Sequence, residues 1–286
     1  MKDYIALTKP RITWLILMST GVGYFFGLEH GWQGWREWID LLNTILGTGL
    51  IASGTAALNQ WFEREADRKM HRTENRPLPA GRLNPAQAFW FGLALAAVGF
   101  ALLAFAVNLI SALLGLFTML SYLCLYTPLK QRTSLSTVVG ALPGAMPPMI
   151  GYAAASGHLT TAAWALFAIL FLWQFPHFLA IAWLYREDYA RAGIRMLPVV
   201  EPDGSSTSRQ IVIYASTLIP VSLFPTLLGM TGRIYLVGAL ILGTWFLYSG
   251  LRVAFDRTLL RARNVMLVSV IYLPVVYALM IIDHVS

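Results

Sequence analysis

The sequence predicts an all-α, polytopic membrane protein of nine transmembrane helices around a central cavity. Three observations predict it. Of the 286 residues, 57% are hydrophobic and only 12% are charged, whereas a soluble domain carries about 25% charged residues. Nine apolar runs reach the roughly 20 residues that a helix needs to cross a bilayer. They lie near 12–28, 41–62, 88–107, 109–127, 138–156, 161–185, 210–230, 233–251 and 264–283. With the N-terminus in the cytoplasm, all of the 21 Lys and Arg except Arg36 and Arg233 fall in cytoplasmic segments, as the positive-inside rule requires. The formal net charge of +7 is then a topology signal spread over five segments. It argues against nucleic acid as a partner and leaves the lipid bilayer as the surrounding phase.

Taken in order, the N-terminal MKDYIALTKPR is amphipathic and enters the first apolar run without a small-residue cleavage site. The first helix therefore serves as its own insertion signal. Segment 30–40 carries Trp32, Trp35 and Trp38 and reads as a loop holding an interfacial aromatic belt. Cys124, the only cysteine, sits in an apolar segment, which excludes an internal disulfide and a Cys-rich metal cluster. No linker divides the chain, so 1–286 is one membrane domain. A weak repeat runs through it. Helix two leads into a charged stretch ending in Leu78-Pro79, and helix six into YREDYARAGIRMLP, ending in Leu197-Pro198. Half-bundles over about 12–127 and 138–251, plus a ninth helix at 264–283, place both stretches at one cytoplasmic mouth and the C-terminus outside. The fifth span carries Pro143, Pro147 and Pro148, and the sixth Gln174, Pro176 and His177. Prolines at membrane depth are either packing kinks or breaks whose freed backbone lines a cavity.

The chemistry concentrates in Asn59–Arg82, which packs four acids and six Lys/Arg into 24 residues. Pro77 and Pro79 cannot continue a helix, so the helix is predicted to stop near Asn75. On it, Asn59, Glu63, Asp67 and His71 form one stripe at four-residue spacing, with Arg64, Arg68 and Arg72 as a second beside it. Oxygens on one face suit Mg²⁺, which takes carboxylates together with substrate phosphates. Arg64, Arg68, Lys69, Arg72 and Arg76 would hold a diphosphate. A cytoplasmic loop needs the bases but not acids at that spacing. In the second stretch Asp188 either faces the site or pairs with Arg191 or Arg195, while Tyr185 and Tyr189 share a face and can hydrogen-bond phosphate. His177 is either functional, as an intramembrane ionisable group is by default, or a core polar partner of Gln174. His71 belongs to the anion clamp or to the loop. An anion transporter would also suit nine spans and broken helices, but transporter sites lie near the midplane, and these acids lie at helix ends.

On LNQWFEREADRKMHRTENRPLPAGR (58–82), YTPLKQRT (126–133), GALPGAMPPMIGY (140–152), WQFPHFLAIAW (173–183) and REDYARAGIRMLPVV (186–200), the chain resembles the UbiA-type intramembrane prenyltransferases over essentially its whole length. Within them it is most similar to the branch that farnesylates haem. The resemblance implies a nine-helix bundle in the bacterial inner membrane. It implies one or two Mg²⁺ held by Asn59, Glu63, Asp67 and Asp188, and it adds Lys130, Tyr185, Tyr189, Arg191 and Arg195 to the diphosphate contacts. The donor would be farnesyl diphosphate and the acceptor a vinyl group of haem B, near His177 and Gln174, giving haem O. A haem A synthase or an assembly partner of a terminal oxidase would receive the product. Trp61, Phe62, Tyr122 and Tyr126 are the aromatic faces available to an allylic cation. Gln60 departs in type from the family's Asn-Asp start and Glu63 from the aspartate at its next position, and the family's second aspartate pair falls on Tyr185 and Tyr189, leaving Asp188 alone. A quinone or chlorin prenyltransferase would use the same clamp with another acceptor.

Overall fold

The computed structural model describes residues 1–28 and 31–285 as an all-helical bundle. A short helix α1 (Lys2–Leu7) turns at Thr8 and Lys9 into α2 (Pro10–Gly27). Then follow α3 (Trp35–Arg68), α4 (Pro85–Ala106), α5 (Leu109–Leu120), α6 (Ser136–Gly144), α7 (Pro147–Ser156), α8 (Thr161–Leu184), α9 (Arg186–Arg191), α10 (Ser205–Val221), α11 (Arg233–Phe255) and α12 (Leu259–Ile282). Among the described residues, eight helical stretches are long and apolar enough to cross a membrane. The ninth expected span, α2, is 18 residues long, about 27 Å at 1.5 Å per residue. Its apolarity falls short because it opens on Pro10 and the charged Arg11, and because Ser19, Thr20, Gly23 and Gly27 make up much of its buried face.

That face meets α7 backbone to backbone. A Cβ on Gly23 would run into the Pro148 carbonyl, and one on Gly151 into the carbonyl of Thr20. Overpacking costs roughly 1–3 kcal/mol even where side chains can shift, and backbone cannot. Gly151→Val is therefore expected to lower the melting temperature in detergent by at least about 5 °C, read by intrinsic fluorescence.

Helix α3 departs most from expectation. It spans 34 residues, about 51 Å against a hydrocarbon core of about 30 Å, so it projects beyond the bilayer. It begins at Trp35 rather than near 41, so the aromatic belt belongs mainly to its first turn: Trp35 and Trp38 are exposed, and Trp32 stacks on Trp38 with ring centroids 4.0 Å apart. It ends at Arg68, not Asn75. The Thr73 hydroxyl donates to the Asp67 carbonyl at 2.8 Å, the Met70 N–H turns back to the same carbonyl, and Met70 buries against Ala66, Ile194 and Met196. His71 and Arg72 consequently leave the helical stripes and lie in the turn beyond.

The predicted break is real in the fifth span, where Pro147 and Pro148 separate α6 from α7. Gln174 of α8 donates to the Ala141 carbonyl in the last turn of α6 at 2.8 Å. The sixth span is not broken, since α8 runs through Pro176. In the fourth span, α5 widens into a π-helical stretch, Ser121–Tyr126. The hydroxyl of Thr127 donates to the Tyr122 carbonyl at 2.9 Å. Apart from Tyr24 on α2, the largest buried side chains lie on the second half of the bundle, with Phe175 on α8, Tyr235 and Phe246 on α11, and Tyr272 and Tyr277 on α12.

Candidate active site

The spacing of Asn59, Glu63 and Asp67 puts their side chains on one face over successive turns of α3. A cation from a different segment meets each of them. Lys9 Nζ donates to Asn59 Oδ1 at 3.2 Å, Lys130 Nζ to Glu63 Oε1 at 2.8 Å, and Arg76 Nη1 to Asp67 Oδ2 at 2.7 Å. Asn59 and Asp67 are each 1% exposed. Three basic side chains face two carboxylates, so protonated Lys9 leaves the cluster with an excess positive charge that suits an anion. The Asn59 amide is oriented by its Nδ2 donating to Thr127 Oγ1 at 3.2 Å, which couples the clamp to the π-helical stretch.

Lys9 reaches the site through an unusual backbone. Among the described residues it is the one non-glycine with positive φ, at 48°, a conformation that costs of order 1–3 kcal/mol and persists only where the surroundings impose it. Those surroundings are the Gln60 amide donating to the Leu7 carbonyl at 2.8 Å and an Arg82–Asp3 ion pair at 3.0 Å. Burial, aided by the Arg76 guanidinium, pushes the Lys9 pKa down to about 7. Burial works in the same direction on Lys130, but the Glu63 carboxylate, with Tyr126 and Tyr122 behind it, holds that ammonium well above the ordinary lysine value.

The second charged stretch joins the first through Arg72. Asp188, largely buried, accepts from the Arg72 backbone N–H at 3.2 Å and from the Arg191 guanidinium. The Arg72 guanidinium lies over the rings of Tyr185 and Tyr189, 4.9 and 5.7 Å from their centroids. The third segment is tied in by the Arg195 N–H donating to the Lys130 carbonyl at 2.8 Å. Other basic residues turn away. Arg64 folds back on the Trp61 carbonyl at 2.8 Å, Arg68 pairs with Glu65 at 3.5 Å, and Lys69 and the side chain of Arg195 are exposed. His71 is exposed beside Glu74. Among the described residues no cluster of three or more carboxylate, imidazole or thiol groups is placed to hold a metal. The oxygen set on α3 is one amide and two carboxylates.

A profile described as the UbiA prenyltransferase family matches residues 16–273. The chain belongs to that family. Over 289 residues it is 68% identical to the Protoheme IX farnesyltransferase of Solibacter usitatus (strain Ellin6076), covering 99% of each chain. It is similar in fold to a solved structure described under digeranylgeranylglyceryl phosphate synthase, with TM-score 0.80 and 17% identity over 99% of this chain and 97% of that one. A UbiA homolog from Archaeoglobus fulgidus bound to GPP and Mg²⁺ gives TM-score 0.66 and 17% identity, over 97% of this chain and 99% of that one.

Within this UbiA-family bundle, the remaining candidates divide. Tyr122 and Tyr126 pair edge to face at 5.0 Å, and Lys130 Nζ sits 4.4 Å over the Tyr126 ring, so both line the clamp. Trp61 packs on Phe89 and Phe62 is 54% exposed, so neither joins them. His177 and Gln174 are not partners. Gln174 is buried on the α6 break, whereas His177, half-buried, stacks on Trp173 and places Nδ1 2.7 Å from Ser269 Oγ on α12. Reading the sequence misses Lys9 and Thr127 in the site. A lone lysine before proline carries no spacing pattern, and the signal available was the charge of Lys9 at the mouth of the first span.

Proposed function

We propose that the chain transfers the farnesyl group of farnesyl diphosphate to a vinyl group of haem B, with addition of water, yielding haem O and diphosphate. The observation that carries this reading is the ladder of Asn59, Glu63 and Asp67, each met by a cation from another segment. The acceptor rests on the full-length similarity to a relative named Protoheme IX farnesyltransferase.

The donor set is hard oxygen, which fits Mg²⁺, and Asn59, Glu63 and Asp67 would hold it, with Asp188 as a fourth ligand once released from Arg191. Bound there, the ion supplies Lewis-acid charge against the diphosphate oxygens. The protein's own contribution is to bind and orient. Lys9, Lys130 and Arg76 exchange their pairing with α3 for the diphosphate, and Arg72, Tyr185 and Tyr189 close over it from the second stretch. As the allylic C–O bond ionises, negative charge grows on the leaving group among fixed cations in a site that excludes bulk water. Tyr122 and Tyr126 present ring faces to the allylic cation. The vinyl carbon then attacks, water adds at the carbon next to the porphyrin, and a proton leaves. His177 is the side chain proposed to approach haem.

The clamp lies on the cytoplasmic face of the bacterial inner membrane, with the N-terminus inside and the C-terminus outside, on the strength of the Lys/Arg distribution. The two charged stretches belong to two pseudo-repeated halves.

The test is purified protein in liposomes with haem B, farnesyl diphosphate and Mg²⁺, followed by pigment extraction and mass spectrometry. Farnesylated haem is expected. Its absence from folded protein, or prenylation of a quinone precursor alone, would sink the reading. In the same assay Thr127→Val is expected to lower kcat/KM about tenfold, by leaving a buried amide without its partner, and Thr127→Ser to restore it.

A further inference from the structure

Helices α11 and α12 form an antiparallel pair whose outward side contains a groove of about 270 Å³. Its two walls are helical stripes. On α11, Arg252, Tyr248 and Trp245 stand at i, i−4 and i−7; on α12, Arg261, Asn264, Val268 and Ile271 stand at i, i+3, i+7 and i+10. Both stripes run from polar to apolar in the same direction: on α11 from a guanidinium to the amphipathic rings of Tyr248 and Trp245, and on α12 from a guanidinium and an amide to aliphatic carbon. From Arg261 to Ile271 the groove descends about 15 Å, half of a hydrocarbon core of about 30 Å, so its depth is that of one leaflet.

The groove is open on the side that lipid covers. Trp245, Tyr248 and Ile271 are 40%, 56% and 48% exposed, and the neighbouring outward residues are apolar. Its polar end lies at the end of the bundle that carries the charged site, because Trp183 Nε1, two residues before Tyr185, donates to the Arg257 carbonyl at 3.1 Å. Arg252 lies over the Tyr248 ring at 5.8 Å, and Arg261 is oriented by Asp256 at 3.6 Å. Two guanidiniums against one carboxylate leave the mouth positive.

We infer that this groove binds an anionic phospholipid of the leaflet on the clamp side, the phosphate between Arg252, Arg261 and Asn264 and an acyl chain laid against Trp245, Val268 and Ile271. The ordering of groups matches that of the lipid: a fixed anion at the headgroup level, then an interfacial zone suited to Tyr and Trp, then hydrocarbon. A soluble anion would satisfy only the mouth, and a zwitterionic lipid would bring its own cation to the arginines.

Native mass spectrometry of the purified chain in neutral detergent tests this, with phosphatidylglycerol and phosphatidylcholine of equal chain length offered together. Wild type is expected to retain one phosphatidylglycerol with a preference of roughly 30-fold, about fivefold for each guanidinium. Arg252→Gln with Arg261→Gln is expected to remove the preference, with the melting temperature in lipid-free detergent unchanged. Inorganic phosphate at millimolar concentration should not displace the lipid. Equal retention of the two lipids by wild type, an undiminished preference in the double variant, or displacement by inorganic phosphate would overturn the assignment. The wild-type comparison decides the matter even if the double variant does not fold.

Discussion

Asp67→Asn is expected to abolish prenyl transfer and to leave a folded membrane protein. Asp67 is 1% exposed and its carboxylate accepts from Arg76 at 2.7 Å. Asparagine keeps the shape and one oxygen acceptor for Arg76, so the surrounding turn, closed by Thr73 on the Asp67 backbone carbonyl, is retained. It removes the negative charge, and with it the carboxylate proposed to hold a divalent cation against the diphosphate. Removing one preorganised electrostatic contact costs about 10²–10³ in kcat. Losing the proposed metal ligand as well should push the loss to roughly 10³ or beyond. Turnover of haem B and farnesyl diphosphate, measured beside a melting curve in the same detergent, checks it. A variant with wild-type kcat would remove Asp67 from the chemistry.

Lys130→Met carries the next largest effect. Lys130 and Glu63 side chains are 14% and 13% exposed and 2.8 Å apart, so the change both removes the cation proposed to face the leaving group and strands a largely buried carboxylate. A fall in kcat of about 10²–10³ is expected from the first of these alone, with some loss of thermal stability from the second. Lys130→Arg should recover part of the rate, because it restores the charge but not the compact ammonium that fits over Tyr126. Methionine at 130 with unaltered kcat would mean that the ammonium serves only to hold Glu63.

The parts legible in the sequence were those written as local period. Asn59, Glu63 and Asp67 are four apart on one helix, and that spacing survives folding because nothing interrupts α3 before Arg68. The apolar runs are local in the same sense, and the double proline at 147–148 fixes its own break. What was not legible depends on contacts between distant segments. Helix α3 stops seven residues early because Thr73 and Met70 bend the chain back on it, and Met70 buries against residues of the second charged stretch. Arg64 and Arg68 share their stripe with Arg72, yet the first two fold onto their own helix while Arg72 crosses to Tyr185 and Tyr189. Lys9 enters the site only through a left-handed turn held by Gln60 and Arg82 from elsewhere in the bundle. The pairing of His177 with Ser269 rather than with Gln174 likewise follows from how α8 and α12 pack.

One binding measurement tests most directly the claim that the end of α3 and its three cations form the diphosphate site. Farnesyl thiolodiphosphate, which resists ionisation, is titrated by calorimetry into wild type and Asp67→Asn with and without Mg²⁺. The account predicts Mg²⁺-dependent binding to wild type, and a loss of at least about tenfold in affinity in Asp67→Asn, about the 1.4 kcal/mol that a charged contact supplies. Equal affinity with and without Mg²⁺, in both proteins, would contradict it.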